Sequence, residues 1–324
     1  PTSETLDVQL SLESPEGNAL AARTVRLAPG KSEHAVLAAP AGTGLILDRY
    51  ELAIHYEGRY ESRSDRTTVF VRRLAEKPGV STAKLYGYGS EVYVLADDAL
   101  EVTVDPRRGG RILEIYDRRT GCNQITVPYD RLGGLHNIAF AYCIWDEVKA
   151  PHGFGIGRNA PYQVKVLPDG LTLSAGAPGK LAVTKTLTLG GGGVLNLNVK
   201  LDNRSDRELA CSWYMHPEYT VGGEAVSHSD LLTLPIGGKN LDIPYWTGLG
   251  DRSTPEFSDG FWMLTSPSKQ YRIRQDFPPE KFRKPRLWFG IGCCNLEMES
   301  SRGLKLRPGE SWTGDLKWTF SQIR

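Results

Sequence analysis

Histidine and glutamate side chains at the ends of predicted strands are the groups of this sequence best suited to acid–base chemistry. His216 directly follows a predicted strand in the segment WYMHPEY, which also contains Trp213 and Tyr219, and His152 lies in a PHGF loop. An imidazole beside aromatic rings suits a sugar, because the C–H face of a sugar stacks on an aromatic plane while its hydroxyls form hydrogen bonds. A structural cluster at a strand end gives the same pattern, so both interpretations stay open.

Two glutamates share one face of a predicted strand near the C-terminus. Glu297 and Glu299 are two positions apart in the segment LEMESS, and residues two apart on a strand point to the same side. Two carboxylates on one side are the arrangement of a glycosidase acid–base pair. A solvated strand face, where most glutamates lie, is the other interpretation. Glu299 is nearer the turn at the strand end and is the stronger candidate for a site.

Other catalytic chemistries lack their sequence signatures. The histidines show no HxH or HExxH spacing, which predicts no metal site. No GxSxG elbow occurs, and no GxGxxG or GxxxxGK[ST] loop lies between a predicted strand and a predicted helix, so a serine hydrolase and a nucleotide cofactor are disfavoured. The five cysteines are odd in number and form no CxxC pair, which indicates neither a disulfide framework nor a zinc knuckle. We expect no cofactor.

Composition narrows the class of partner. The 324 residues contain 39 lysines plus arginines and 38 aspartates plus glutamates, a net charge of +1, which argues against nucleic acid and favours a neutral ligand. No apolar run approaches the ~20 residues of a membrane span, so no membrane partner is expected. The chain opens at Pro1 without a signal segment, and we expect a processed protein or a piece of a longer polypeptide with further domains.

Short alternating strands dominate the sequence and predict an all-β fold. Residues 1–75 contain five alternating segments separated by turn residues, which is typical of a small β-sandwich of the immunoglobulin or fibronectin kind. Residues 76–90 are polar and glycine-containing, as in a linker. Residues 91–324 carry closely spaced short strands, including one continuous strand over 286–298, and predict a second, larger sandwich. The glycines at 190–193 predict a hairpin between two of its strands.

Several segments taken together resemble the aldose 1-epimerase (galactose mutarotase) superfamily. VTVDPRRGGRI at 102–112 is similar to the family's opening strand, glycine turn and second strand, and ITVPYDR, which ends in Arg131, resembles its proline–aromatic–x–arginine segment. The HGF segment with His152, the LDNRSD strand followed by the HP pair at His216, and the closing LKLRPGES keep the family's order. The resemblance covers roughly residues 90–322.

The resemblance implies a galactose mutarotase-like β-supersandwich that binds a mono- or oligosaccharide. It implies an epimerase in which Glu299 takes the proton of the anomeric hydroxyl and His216 protonates the ring oxygen, so that the opened sugar closes as the other anomer. The residues predicted to contact the substrate are Arg131, His152, Tyr219, Trp213 and Asp242.

A second class of function stays open, because the same fold also occurs as a non-catalytic domain of glycoside hydrolases and polysaccharide lyases. The MHP setting of His216 departs from the family's NHSYF pattern, and a leading sandwich is unusual for a free-standing mutarotase. The alternative is a carbohydrate-binding or structural module of a larger glycan-processing enzyme. Such an enzyme would be secreted or periplasmic, whereas a free-standing epimerase would be cytoplasmic. A third interpretation is a hydrolase or lyase that uses Glu297 and Glu299 or a histidine–tyrosine pair.

Overall fold

The computed structural model describes residues 4–14, 17–38, 45–57, 62–85, 91–126, 143–245, 250–253, 257–282, 286–289, 293–300 and 303–323. Within these ranges the chain forms 25 strands, no α-helix and a short 3-10 helix at Pro151–Gly153, so the predicted all-β class is confirmed. No helix of the described ranges is long and apolar enough to cross a membrane. The chain divides into two compact units, Pro1–Leu74 with Ala83–Ser90, and Ala75–Thr82 with Glu91–Arg324.

The smaller unit is built on one antiparallel sheet. Its strands are β1 (Leu6–Glu13), β2 (Ala19–Leu27), β3 (Leu45–Glu57) and β4 (Ser62–Arg72), in the order β2-β1-β3-β4, and the end of β5 (Gly79–Leu85) runs parallel to the start of β3. Leu12 and Tyr50 are buried, and buried Asp48 accepts a hydrogen bond of 2.6 Å from Arg73. The described strands of this unit belong to a single sheet, whereas the sequence predicts two facing sheets. The segment 76–90, predicted as a linker, contains β5.

The larger unit contains two main sheets. The strands of the first sheet are β6 (Glu91–Ala96), β7 (Leu100–Asp105), β8 (Arg111–Asp117), β9 (Cys122–Asn123), β10 (Ile144–Lys149), β16 (Ser212–Pro217), β19 (Gly250–Ser253), β22 (Arg286–Phe289) and β23 (Cys294–Glu299). Their order is β19-β22-β23-β16-β10-β8-β7-β6, with β9 beside β8. Because β16 lies between β10 and β23, side chains from three distant parts of the chain meet on its two faces.

The second sheet consists of β11 (Gln163–Leu167), β12 (Gly170–Gly176), β13 (Leu181–Gly191), β14 (Val194–Asn203), β17 (Leu231–Ile236), β18 (Lys239–Pro244), β20 (Phe261–Ser266), β21 (Tyr271–Asp276) and β25 (Ser311–Gln322). Its order is β11-β12-β13-β14-β25-β21-β20-β17-β18, and β15 (Leu209–Ala210) pairs with β24 (Lys305–Leu306) separately. The hairpin predicted at 190–193 is confirmed: β13 and β14 pair around it, and Gly191, Gly192 and Gly193 all have positive φ angles.

The core of the larger unit lies between these sheets. β14 alternates buried and half-buried residues along its length, as the sequence pattern predicts for a strand with one buried face. Trp318 of the second sheet donates a hydrogen bond of 2.6 Å from Nε1 to the hydroxyl of Tyr219, whose ring lies 5.1 Å from that of Trp262. All three side chains are fully buried, and burying a large apolar side chain stabilises a fold by roughly 1.5–3 kcal/mol.

The strand predicted over 286–298 is wrong in extent, because the structure divides it into β22 and β23. The two strands pair antiparallel, with Arg286 opposite Glu297 and Phe289 opposite Cys294, so the chain reverses between them. Both halves are apolar and strand-like, and hydrophobic alternation alone does not reveal where such a run turns back. The reversal places β23 between β22 and β16.

Candidate functional site

β10 and β16 carry different chemistry on their two faces. The strands pair antiparallel with Trp145 opposite His216 and Asp146 opposite Met215. Since neighbouring residues of a strand point to opposite faces, Trp145 and His216 share one face and Asp146 and Met215 share the other. Met215 is buried, whereas His216 is half-buried.

On the first of these faces, His216 is the centre of a compact polar group. Its Nδ1 lies 2.9 Å from Oε1 of Glu297, and its Nε2 lies 2.7 Å from Nδ2 of Asn295 and 3.8 Å from Oε1 of Glu218. The indole of Trp145 stacks on the imidazole, with ring centroids 4.8 Å apart and planes inclined by 12°. We call these five residues the His216 cluster.

The register of β16 against β23 brings His216 and Glu297 together. β16 and β23 pair with Tyr214 opposite Glu299 and Met215 opposite Met298, so the next step along the strands brings His216 beside Glu297. Glu218 is held from its other side, because Thr126 donates a hydrogen bond of 2.9 Å to its Oε2. The carboxylate in direct contact with His216 is therefore Glu297, two positions before Glu299.

Electrostatic coupling shifts the pKa values of His216 and Glu297 in opposite directions. Burial by itself would lower the pKa of His216, but the neighbouring carboxylates of Glu218 and Glu297 raise the pKa above the ordinary value of 6.5. Burial would likewise raise the pKa of Glu297, but its interactions with His216 and with the hydroxyl of Tyr214 lower that pKa below 4.5. The pairing therefore stabilises the protonated form of His216 and the ionised form of Glu297 relative to the isolated side chains.

Three polar atoms of the cluster have no hydrogen-bond partner among the described residues. They are Nε1 of Trp145, Oδ1 of Asn295 and Oε2 of Glu297. The three residues are well buried, with exposed fractions of 7%, 0% and 8%. A buried polar group without a partner costs about 1–3 kcal/mol, and most such groups in folded proteins are paired.

On the second face, Asp146 of β10 forms a buried, hydrogen-bonded ion pair with a lysine of the second sheet. Lys185 of β13 places Nζ 2.5 Å from Oδ1 of Asp146 and 2.7 Å from the carbonyl of Gly109. Trp213 donates from Nε1 to the other carboxylate oxygen of Asp146 at 2.6 Å. Burial lowers the pKa of Lys185, and the charge of Asp146 opposes that shift. These contacts connect the two sheets, and we call them the Lys185 network.

The structure distributes the residues predicted for the site among several places. His216 lies at the centre of the cluster, and Glu299 lies opposite Tyr214 on the same strand as Glu297. Trp213 and Tyr219 are fully buried, and Asp242 lies on exposed β18 of the second sheet, where its Oδ1 accepts a hydrogen bond of 2.5 Å from Thr233. None of these three is brought to His216.

Two further predicted contacts are not placed. Arg131 lies outside the described residues, and of His152 the structure describes only the backbone, in the 3-10 helix at Pro151–Gly153. Their predicted roles stay predictions. Within the described ranges, no group of three histidine, cysteine, aspartate or glutamate residues is arranged to hold a metal ion.

Comparison with solved structures identifies the fold of this chain. No family model matches the sequence, and no curated protein matches it significantly. A galactose mutarotase-like protein from Clostridium acetobutylicum superposes with a TM-score of 0.55 at 13% identity, over 77% of this chain and 100% of that one. A putative aldose 1-epimerase from Escherichia coli gives a TM-score of 0.54 at 14% identity, over 72% of this chain and 99% of that one.

This chain has the galactose mutarotase-like fold. A galactose mutarotase-like protein from Lactobacillus casei supports the same conclusion, with a TM-score of 0.52 at 12% identity over 71% of this chain and 100% of that one. The resemblance read from the sequence is therefore confirmed at the level of the fold. A TPR-domain-containing protein from Parabacteroides distasonis has a TM-score of 0.50 at 13% identity, over 86% of this chain and 56% of that one.

Within this galactose mutarotase-like fold, sequence reasoning missed Trp145, Glu218 and Asn295. Trp145 lies on β10, which was not predicted, because the segment CIWDEVK does not alternate apolar and polar residues as a half-buried strand does. Asn295 lies two residues before Glu297 and shares its face of β23. The shared face was the available signal for Asn295, whereas the contact of Trp145 with His216 depends on strand pairing that no local pattern contains.

Proposed function

We propose that this chain is a carbohydrate-active protein of the aldose 1-epimerase type and that the His216 cluster interconverts sugar anomers. The contact of His216 with Glu297 carries the proposal, because it joins a proton donor to a proton acceptor and leaves Oε2 of the carboxylate without a partner among the described residues. The likeness to solved galactose mutarotase-like proteins supports a carbohydrate-related role.

The proposed anomer exchange uses Glu297 as the proton acceptor and His216 as the proton donor. Oε2 of Glu297 takes the proton of the anomeric hydroxyl while His216 passes the Nε2 proton to the ring oxygen. The C1–O5 bond breaks, the anomeric carbon becomes an aldehyde, and the C1–C2 bond rotates. Closure from the other face returns both protons and gives the other anomer. General acid–base help of this kind contributes roughly 10²–10⁴-fold for each group.

Asn295 suits both protonation states that this cycle requires of His216. An asparagine amide has a donor end and an acceptor end. With Nδ2 towards Nε2, as in the structure, the amide donates to a neutral ring that keeps its proton on Nδ1. With the amide rotated by half a turn, Oδ1 accepts from a protonated ring. The same side chain therefore stabilises the donor before proton transfer and the acceptor after it.

The experiment is NMR exchange spectroscopy between the α and β anomers of D-galactose and D-glucose, with and without the protein. We expect faster exchange for at least one sugar, and we expect Glu297→Gln to reduce the catalysed rate at least about 100-fold. Glu299→Gln is the matched control on the same strand and is expected to keep most activity. The opposite ranking of these two variants would make Glu299 the base, and no acceleration of either sugar would contradict the proposal.

Binding without turnover is the second candidate function. It is favoured by one observation: both ring nitrogens of His216 already face protein groups, Glu297 and Asn295. If that arrangement is retained with a sugar bound, the chain is a carbohydrate-binding module of a larger glycan-processing enzyme. Line broadening of sugar signals without accelerated anomer exchange is the result expected for such a module.

A further inference from the structure

The sheet of the smaller unit has one apolar face and one polar face. Every second side chain of β1 and β3 is large and apolar, and because Leu10 lies opposite Ile54 these side chains share a face. Ser11 and His55 belong to the other face. The apolar residues in the middle of the first face, which we call the apolar stripe, are Val8, Leu10, Val25, Leu52, Ile54 and Tyr56.

The apolar stripe is not covered by a second layer of this unit. All six of its residues are half-buried, and β1 to β4 contact one another side by side within one sheet. The fully buried apolar side chains among the described residues of this unit are Leu12, Leu47, Tyr50 and Leu85. An antiparallel sheet normally packs one face against a core, and a small unit with so few buried side chains has little to offset the entropy cost of folding.

Opposite charges lie at the two sides of the apolar stripe. In the register of the sheet, Arg23 of β2 lies opposite Leu10. Leu10 lies opposite Ile54, which in turn lies opposite Asp65 of β4. One row across the sheet therefore contains a cation, two apolar side chains and an anion. Arg23 is exposed, and the side chain of Asp65 is 65% exposed with Arg63 3.7 Å away.

We propose that the apolar stripe is covered by the same stripe of a second copy of this chain, in a two-fold dimer whose sheets stack face to face as a sandwich. A two-fold axis parallel to the strands, midway between β1 and β3, places β1 over β3 of the second copy and β2 over β4. Leu10 of each copy then packs on Ile54 of the other, across the ~10 Å that separates stacked sheets.

The charges select this axis. With the axis parallel to the strands, Arg23 of each copy faces Asp65 of the other, so both ends of the row meet an opposite charge. An axis across the strands would place β2 over β2 and bring like charges together, which is unfavourable. The second copy therefore complements the stripe in shape and in charge.

The area is that of a modest interface. A face four strands wide and about seven residues long measures roughly 19 Å by 24 Å, or about 450 Å² in projection. Two such faces give about 900 Å² before the relief of the side chains is included, which is close to the ~1,000 Å² at which specific interfaces begin. We expect a dimer with a dissociation constant on the order of 10 µM.

Analytical ultracentrifugation of the full chain tests the apolar stripe. At about 100 µM, wild type should sediment mostly as a dimer of two 35.8 kDa chains. Ile54→Asp places a carboxylate in the middle of the stripe and should raise the dissociation constant at least about 100-fold. His55→Asp is the matched control, because it adds the same group at the next position of β3 on the polar face, and it should keep the dissociation constant within about 3-fold.

Charge reversal tests the two-fold axis. Arg23→Glu alone and Asp65→Arg alone each place like charges together and should raise the dissociation constant about 10-fold. The double variant Arg23→Glu with Asp65→Arg restores opposite charges across the dimer and should return the dissociation constant to within about 3-fold of wild type. Both side chains are exposed, so these variants test the interface independently of Ile54→Asp, and circular dichroism checks that each variant folds.

A wild type that stays monomeric at about 100 µM would overturn the proposal and assign the apolar stripe to a different partner. A dimer that folded Ile54→Asp leaves intact would overturn it as well, since the contact would then lie elsewhere. A dimer that Ile54→Asp dissociates, but whose single charge reversals have no effect or are not restored in the double variant, would overturn the proposed two-fold arrangement.

Discussion

The His216 cluster and the Lys185 network are two buried polar groups on opposite faces of the same pair of strands. In the Lys185 network, a lysine, a carboxylate, a glycine carbonyl and an indole N–H satisfy one another. In the His216 cluster, three buried polar atoms find no partner among the described residues. Both groups include a tryptophan, an acidic residue and a basic residue, so composition does not distinguish them.

The difference leads us to expect different roles for the two groups. A network in which every polar group has a partner favours one packed arrangement. Removing one member of it leaves a buried charge without a partner. Open polar groups destabilise the free protein and become favourable when a ligand supplies the missing partners. We therefore expect changes in the Lys185 network to act on folding and changes in the His216 cluster to act on ligand binding and turnover.

The largest effect is expected from Asp146→Ala. It leaves the ammonium of Lys185, whose side chain is only 2% exposed, without its carboxylate, and breaking a buried pair in this way costs about 3–5 kcal/mol. Urea denaturation would measure the change in the free energy of unfolding. The double variant Asp146→Leu with Lys185→Met removes both charges and should recover part of the loss. A single variant as stable as wild type would show that the pair does not stabilise the fold.

The next largest effect is expected at Gly109, whose carbonyl accepts a hydrogen bond from Lys185. Gly109 has a φ of +79°, and a Cβ added there would lie 1.9 Å from the carbonyl oxygen of Arg158. Gly109→Ala should therefore destabilise the protein by about 2–4 kcal/mol through backbone strain and overpacking. Gly191→Ala is the matched control, because Gly191 has a φ of +77° with nothing within 4 Å of the added Cβ. Equal losses in the two variants would assign the effect to φ alone.

A smaller effect, which depends on pH, is expected in the His216 cluster. The raised pKa of His216 means that its pairing stabilises the fold fully below about pH 6.5, and that this stabilisation disappears as the pH rises through the raised value. The lowered pKa of Glu297 means that its contribution is present above about pH 4.5 and disappears as the pH falls through the lowered value. The pair therefore stabilises most between these limits.

Melting temperatures of wild type and His216→Gln from about pH 5 to about pH 9 test this window. The stability difference between the two proteins should be largest near the acidic end and should shrink as the pH rises. A difference that grows with pH would mean that His216 is buried as a neutral ring. Asp146→Ala, measured in parallel, separates the response of this cluster from that of the network on the other face.

The smallest effect is expected at the exposed end of β10. Lys149 lies 3.2 Å from Glu147 and 4.7 Å from the ring centre of Tyr214, but 61% of its side chain is exposed. Exposed pairs contribute about 0–1 kcal/mol, so Lys149→Ala should change the free energy of unfolding by less than about 1 kcal/mol. Denaturation at low and high salt would check that the remaining effect is electrostatic. A loss of stability as large as that of Asp146→Ala would show that burial does not determine how much an ion pair contributes to stability.

Much of the fold could be predicted because each strand carries its own alternation. The β13–β14 hairpin and the strand containing Glu297 are local patterns, and the structure contains both. The reversal between β22 and β23 was not predictable in this way, since two adjacent apolar strands look like one long strand. Knowledge of that turn is needed before the neighbours of β23 can be assigned.

The candidate site was predictable only to the level of single strands. His216 stood out because aromatic residues surround it in sequence, yet two of them, Trp213 and Tyr219, are fully buried in the core. The tryptophan that does touch His216 comes from β10, some seventy residues earlier. The choice between Glu297 and Glu299 depends on the register of β16 against β23, which is a property of two strands together.

The Lys185–Asp146 pair also bears on strand alignment. A slip of one residue would turn every side chain of β10 to the other face, placing Trp145 in the core and Asp146 beside His216. Such a slip would separate Asp146 from the buried ammonium of Lys185, so the misaligned state is penalised by an unpaired interior charge. The ion pair thus favours the observed register of β10 in the sheet. The geometry of the His216 cluster is therefore selected by a contact on the opposite face of the strands.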